Sequence, residues 1–351
     1  MKIGILTFHK GYNHGGFFQA FATMSFLKNC GYDAEIIDYS NKVHRFNELR
    51  VFLLNRWFFL NLKNLLKFRN FHKDLKHLSI SPRLTTASEL SKYDCIIFGS
   101  DIIWNYEWDF LGRDPIYFGN SIPKNVRLVS YAPSFGNVKY SADMTPPQYV
   151  VKGLKRFSAI SVRDKNSAQI VERYTGNFPE IVVDPTLLIE KSDYRIYSKS
   201  IKMQEKTKYL LVYAFKITDE QISEVKRYAS ENGLVTISVG YSNKWCNKNL
   251  TTIGPFDWLS YFEHAECVVT STFHGTLFAI ISRKPFVTLP NDLINSKLET
   301  ILLRGGLQER VVGDPFTLSN ILNQKIDYDI IEMKMREFRE NSRSFLLRSI
   351  K

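Results

Sequence analysis

The chain has 351 residues, 44% of them hydrophobic and 23% charged, with a formal net charge of +12. These proportions exclude an intrinsically disordered chain and supply enough length for two domains, on a prior of about 150 residues each. The positive excess points to an anionic partner: a phosphorylated small molecule, a nucleic acid or an acidic membrane surface.

Lys2 to Phe8 reads as a buried first strand, and Gly11 to Gly16 as a loop rich in Gly and Asn. Phe17 to Asn29 has helical periodicity, with Phe18, Phe21, Ala22 and Leu27 on one side and Gly31 closing it. Ala34 to Tyr39 is a second strand, so the chain opens as a βαβ unit with a parallel sheet. Residues 42–83 interrupt this alternation with a basic helical insertion. It carries ten bases, among them Arg45, Arg50, Arg56, Lys63, Lys67 and Arg69, against Glu48 and Asp74, so +8 of the chain's +12 sits here. Such helices can lie among the headgroups of an anionic membrane, or pack their apolar side on the domain and leave their bases in water.

Strands resume at Tyr93 to Gly99, Arg127 to Ala132 and Ala159 to Arg163, and Ile181 to Leu188 closes this half. Each runs into a polar residue: Asp101 beside Ser100, then Ser134, Arg163 and Asp184. In a parallel sheet those ends line one edge. Residues 190–207 are polar and irregular, a hinge by composition. The pattern then restarts, with a strand over Tyr209 to Ala214, a helix over Asp219 to Asn232, a strand over Val235 to Val239 and a short helix after Pro255. The tail Ile330 to Ser349 is a basic amphipathic helix able to strap the two halves together. The expected domains are 1–190, 191–325 and a C-terminal helix within 326–351.

Cys30, Cys95, Cys246 and Cys267 show no CxxC spacing and read as reduced thiols, not as a disulfide or zinc framework. His9 and His14 lie close together, but no carboxylate or cysteine spacing completes a metal set, so no metal is expected. The first residues form a strand too short for a signal peptide, and no apolar run is long enough to span a bilayer. A cytoplasmic protein is expected, with peripheral membrane contact left open by the insertion. The glycine spacings match neither a dinucleotide fingerprint nor a P-loop, so no cofactor is expected.

Glu266 to Leu289 is the richest segment: an apolar strand, a polar turn with Ser271, Thr272, His274 and Gly275, an apolar helix, and a second strand after Lys284. The turn falls at the carboxyl end of a parallel strand, where open α/β sheets bind ligands and a helix start favours anions. His274 can hold or protonate an anionic substrate there, or simply cap and pack. Arg163 can fork onto a carboxylate or phosphate, or pair with Asp164 or Glu172. Asp101 can take a proton from a hydroxyl, or cap the turn at Ile102. Asp184, before Pro185, fixes a turn or binds a sugar. Asn13, Gly15 and Gly16 offer a loop whose backbone can approach a substrate.

Taken in order, several segments resemble the polysaccharide pyruvyl transferase family: Asn13-His-Gly-Gly-Phe-Phe-Gln-Ala20 (with Gln19), Gly99-Ser-Asp-Ile-Ile-Trp-Asn105, Ser130-Tyr-Ala-Pro-Ser-Phe-Gly136, Ser161-Val-Arg-Asp164, Val183-Asp-Pro-Thr-Leu-Leu188 and Thr270-Ser-Thr-Phe-His-Gly-Thr-Leu-Phe278. The resemblance implies two Rossmann-like domains facing a cleft, similar to GT-B glycosyltransferases. It also implies transfer of a pyruvyl group from phosphoenolpyruvate, the donor substrate, to two hydroxyls of a glycan or lipid-linked oligosaccharide. Thr272 stands where some members carry an arginine, so Arg163 or a lysine such as Lys284 would supply the missing cation. A glycosyltransferase using a nucleotide sugar is the competing enzymatic reading. A basic module binding membrane or nucleic acid is the non-enzymatic one. No nucleic-acid partner is expected, because the bases concentrate in one insertion while the strand ends carry a varied polar set.

Overall fold

Apolar β-branched runs bounded by polar turns give two parallel sheets, each in its own compact unit. The structure, a computed structural model, describes residues 1–10, 13–54, 58–141, 143–198, 207–291 and 295–351. Gly11 and Tyr12 of the expected loop, Arg56 of the basic segment and 199–206 of the expected hinge lie outside the described residues. The first unit comprises Met1–Leu62, Leu75–Ile189 and Glu337–Lys351, the second Lys63–Asp74 and Glu190–Arg336.

The first unit contains β1 (Lys2–Leu6), α1 (His14–Asn29), β2 (Asp33–Asp38), α2 (Lys42–Phe52), the start of α3 (Phe58–Leu75), β3 (Ile80–Arg83), β4 (Cys95–Phe98), β5 (Arg127–Ser130), α4 (Gln148–Leu154), β6 (Ala159–Val162), α5 (Lys165–Thr175) and β7 (Glu180–Ile181). The strand order is β3-β2-β1-β4-β5-β6-β7, and every pairing is parallel. The order reverses direction between β1 and β4, which leaves a crevice at their carboxyl ends. Trp104, fully buried, anchors the core beside Phe118 and Phe135 and donates its indole N–H to the Tyr117 carbonyl at 2.8 Å.

The second unit contains α6 (Lys191–Ser198), β8 (Tyr209–Tyr213), α7 (Asp219–Glu231), β9 (Val235–Val239), β10 (Lys248–Leu250), α8 (Pro255–His264), β11 (Cys267–Thr270), α9 (Phe273–Ile281), β12 (Phe286–Thr288), α10 (Asn295–Gly305), α11 (Leu318–Asn323) and the first part of α12 (Tyr328–Ser349). Its sheet is again parallel, in the order β10-β9-β8-β11-β12, and reverses between β8 and β11. The part of α12 beyond Arg336 belongs to the first unit. There Ser342 Oγ accepts the Val183 N–H at 3.0 Å, and Arg343 donates to the Leu188 carbonyl at 2.7 Å.

Three expectations are corrected. Gly15 and Gly16, expected in a loop, belong to a helix: α1 begins at His14 because the Asn13 side chain accepts the Gly15 N–H and caps it. The expected hinge begins as helix α6, where Asp193 Oδ2 accepts the Glu190 N–H at 2.8 Å and Tyr194 is buried against Phe278. The basic insertion ends in strand β3, which pairs with β2 at the sheet edge, where Pro82 removes no needed donor.

Close packing makes Gly153 of α4 a sensitive position. A Cβ there would stand 2.1 Å from the Phe118 carbonyl oxygen, so backbone must move. Gly153→Ala should lower stability by about 1–3 kcal/mol, read from urea denaturation midpoints.

Candidate functional site

Both crevices are built from strand ends and the helix start that follows. In the first unit α1 begins directly after β1, and Asp101 follows β4. The missing Cβ of Gly16 would lie 3.5 Å from Asp101 Oδ2, so the carboxylate rests against the first turn of α1. Asp101 sits at φ 74°, and Ala132, after β5, at φ 57°. Left-handed conformations at non-glycine residues cost energy and cluster at functional sites. The carbonyl of Asp101 accepts the Ser134 N–H at 2.8 Å, and its Oδ1 accepts the Ile102 N–H at 2.9 Å.

Beneath this edge lies a layer of buried polar side chains. Asp184 has no exposed surface; its Oδ2 accepts from Arg163 Nη1 at 2.8 Å and from Ser100 Oγ at 3.1 Å. Its Oδ1 accepts from the N–H and hydroxyl of Thr186. Ser134 Oγ donates to Asp164 Oδ2 at 2.7 Å, and Asp164 also caps α5 through the Ser167 N–H. Gln19 shares its amide between Thr7 Oγ1 and the Phe8 and Gly16 carbonyls, fastening the end of β1 to the start of α1. Gln19, Ser100, Ser134, Arg163 and Asp184, expected to touch substrate, are all buried and hydrogen-bonded within this layer. Arg163 pairs with Asp184, not with Asp164 or Glu172.

In the second unit, β11 delivers the turn Ser271-Thr272-Phe273-His274. Thr272 caps α9, its Oγ1 accepting the Gly275 N–H at 2.9 Å. Thr270 Oγ1 donates to the Tyr213 carbonyl at 2.7 Å and lies 3.1 Å from Thr272 Oγ1. Gly275 has no alternative, since a Cβ would approach Thr270 Oγ1 to 2.0 Å. His274 is the second residue of α9, which starts beside the β8–β11 reversal; it is buried, and its ring centroid lies 5.2 Å from that of Phe273. Neighbouring ends are knitted to the turn. The Ser271 hydroxyl donates to the Phe215 carbonyl at 2.9 Å and accepts the Phe215 N–H at 2.8 Å, and Asn291 donates to the Ser271 carbonyl at 2.7 Å.

Lys284 is not part of this edge. It precedes β12, level with Glu266 in the β11–β12 register. At roughly 3.3 Å per residue that places it about 13 Å down the sheet from Thr270, at the amino-terminal side. A cation whose backbone lies next to the turn is Lys216. It follows β8 at φ 53°, is exposed, and is the next residue after Phe215, which is bonded to Ser271. Only its place after a strand could have flagged it. His44, on α2, was also missed; its ring lies 5.2 Å from Phe8, and Asp101 acts on its charge. Burial nonetheless lowers its pKa. Among the described residues no three metal-ligating side chains converge.

A family model, polysaccharide pyruvyl transferase, matches residues 13–292, a span that holds both crevices. The chain belongs to the polysaccharide pyruvyl transferase family. No curated protein matches the sequence. Among solved structures, a Listeria monocytogenes protein assigned as a UDP-N-acetylglucosamine 2-epimerase aligns with TM-score 0.54 at 9% identity, over 100% of this chain and 95% of its own. The S. aureus protein MnaA with UDP aligns at 0.51 and 12% identity, over 98% and 91%. Arabidopsis thaliana UGT89C1 with quercetin aligns at 0.51 and 12% identity, over 99% and 99%. The likeness at such identities is one of fold, and that fold is GT-B.

The buried pair gives this transferase a stability test. Arg163→Met leaves the Asp184 carboxylate without its cation and should cost about 3–5 kcal/mol of unfolding free energy. Unchanged denaturation with lost activity would instead place the guanidinium on the substrate. A pH test follows from His9, at the end of β1, whose Nδ1 is 3.1 Å from the Thr7 carbonyl and whose pKa burial lowers to about 4. The unfolded histidine gains a proton below about pH 6.5, while the folded one does not until about pH 4. Its contribution is therefore intact above the first value and lost as pH falls toward the second. The slope of Tm against pH in that window should flatten in His9→Gln.

Proposed function

We propose that this family member transfers the pyruvyl group of phosphoenolpyruvate to two hydroxyls of one sugar, in a cell-surface polysaccharide or its lipid-linked precursor, giving a cyclic ketal and phosphate. The observation that carries the reading is His274 on the first turn of α9, beside the hydroxyls of Thr270 and Thr272 at a sheet reversal. A helix start presents N–H groups to an anion, and an imidazole exchanges a proton near neutral pH. Phosphoenolpyruvate needs both: its phosphate and carboxylate need donors, and its methylene carbon needs a proton.

His274 protonates the methylene, which becomes the methyl group and leaves the adjacent carbon electron-poor. One sugar hydroxyl attacks that carbon and passes its proton to a base. The carbon–oxygen bond to phosphate breaks, and the second hydroxyl closes the ring. Of the two protons lost by the sugar, one balances the new methyl C–H and the other leaves with phosphate. General acid–base catalysis of this kind contributes about 10²–10⁴ in rate. Lys216 supplies the positive charge for the phosphate or carboxylate, in place of the arginine that Thr272 replaces. Ser271 and Thr272 offer polar groups to the donor.

The test is an assay of purified protein with phosphoenolpyruvate and lipid-linked acceptors containing galactose, glucose or mannosamine. Phosphate release matched by a pyruvylated product is expected, and His274→Gln should lower kcat by about 10²–10⁴. Lys216→Met should raise KM for phosphoenolpyruvate by about tenfold, the loss of one charge-assisted contact. Consumption of a nucleotide sugar with phosphoenolpyruvate untouched would overturn the reading. Full activity in His274→Gln would overturn the mechanism.

A further inference from the structure

Helices α2 and α3 wear their amphipathicity inside out. A helix of a soluble protein turns its apolar stripe to the core and its charges to water. Here α2 has no buried residue, and its outward positions include Val43, Phe46 and Leu49, with Phe46 58% exposed. Its inward positions are polar: Asn47 donates to the Phe110 carbonyl at 3.2 Å, and His44 and Glu48 are half-buried. The same inversion holds along α3 except at Phe71, which is buried. Asn70 donates to the Thr252 carbonyl at 2.7 Å, and Asp74 accepts the Phe256 N–H at 3.0 Å, so amide and carboxylate face protein. Leu62, Leu65, Leu66 and Phe59 face outward, Phe59 at 78% exposure. Among the described residues, eleven of the nineteen exposed large hydrophobic side chains fall between Val43 and Phe68.

Charge follows the same division except at Lys67, which is half-buried and whose pKa burial lowers to about 8. Lys42, Arg45 and Arg50 on α2, and Lys63, Arg69 and Lys73 on α3, are exposed. The two acids of the segment, Glu48 and Asp74, are turned inward; burial raises the Glu48 pKa to about 7, which removes part of its charge near neutral pH. Each outward face is therefore apolar and cationic with no acidic residue on it. Water is a poor partner for the apolar half, and a neutral protein surface leaves the basic half unanswered. Among the described residues no helix is long and apolar enough to cross a membrane.

We propose that α2 and α3 seat the protein on an anionic phospholipid surface, the apolar side chains entering the headgroup–acyl boundary and the bases meeting lipid phosphates. The proposal does not depend on the transfer chemistry, and its test does not use activity. The full chain is sedimented with vesicles of phosphatidylcholine alone and with vesicles containing about one third phosphatidylglycerol, at low and high salt. Binding at least tenfold stronger to the anionic vesicles, weakening with salt, is expected. Arg45→Glu/Arg50→Glu/Arg69→Glu and, separately, Phe46→Glu/Leu62→Glu/Leu66→Glu should each lower that binding at least tenfold with melting temperature unchanged, since all six side chains are exposed. Absence of binding to either vesicle, or binding indifferent to both sets of substitutions, overturns the proposal. So does a concentration-dependent dimer that the apolar set abolishes while vesicles remain unbound; that result assigns the faces to a second copy of the chain.

Discussion

A carboxylate without exposed surface, Asp184, is the interaction on which the first unit's functional edge depends. A buried charge is tolerated only when its lone pairs are met, and Asp184 receives Ser100 from the end of β4, Arg163 from the end of β6 and two donors from Thr186. Three separate segments are thereby held at one level of the sheet. Gln19 does the same for the end of β1 and the start of α1. The result is a hydrogen-bonded floor beneath Asp101 and Gly16. Rigidity of this kind matters for group transfer, where reacting atoms must meet within fractions of an ångström.

The second unit reaches a comparable rigidity with hydroxyls instead of an ion pair. Thr270 pairs with Thr272 and with the Tyr213 carbonyl, Ser271 ties to Phe215 after β8 and to Asn291 after β12, and Gly275 is squeezed between two threonines. His274 is then positioned by its backbone, at the second residue of a capped helix. Chain economy is visible in this contrast: one unit spends an ion pair on its edge, and the other uses short side chains that cost little to bury.

Much of this was legible because it is local. The strand over Val235–Val239 has the limits read from apolar alternation, and the β8 strand and α7 helix differ only at their last residue. The His274 turn was visible as a polar break between an apolar strand and an apolar helix. What stayed hidden is non-local or lacks a period. Strands β3 and β10 span four and three residues at sheet edges, where one neighbour suffices and no continuous apolar run is required. Lys284 and Lys216 flank strands of one sheet, and only the parallel register separates the start of β12 from the end of β8. Periodicity showed a stripe on α2 and α3 but not which side faces the protein; the hydrogen bonds of Asn47, Asn70 and Asp74 decide that.

The left-handed backbone at Asp101 has a practical consequence for probing its chemistry. Aspartate and asparagine share tolerance of that conformation through their short polar side chains, whereas alanine and most other residues do not. Asparagine is thus an isosteric probe that removes the charge and leaves the loop geometry in place, and glycine removes the side chain while relaxing the backbone. Alanine scanning at this position would merge a chemical deletion with a conformational one, and any lost turnover would be ambiguous between them.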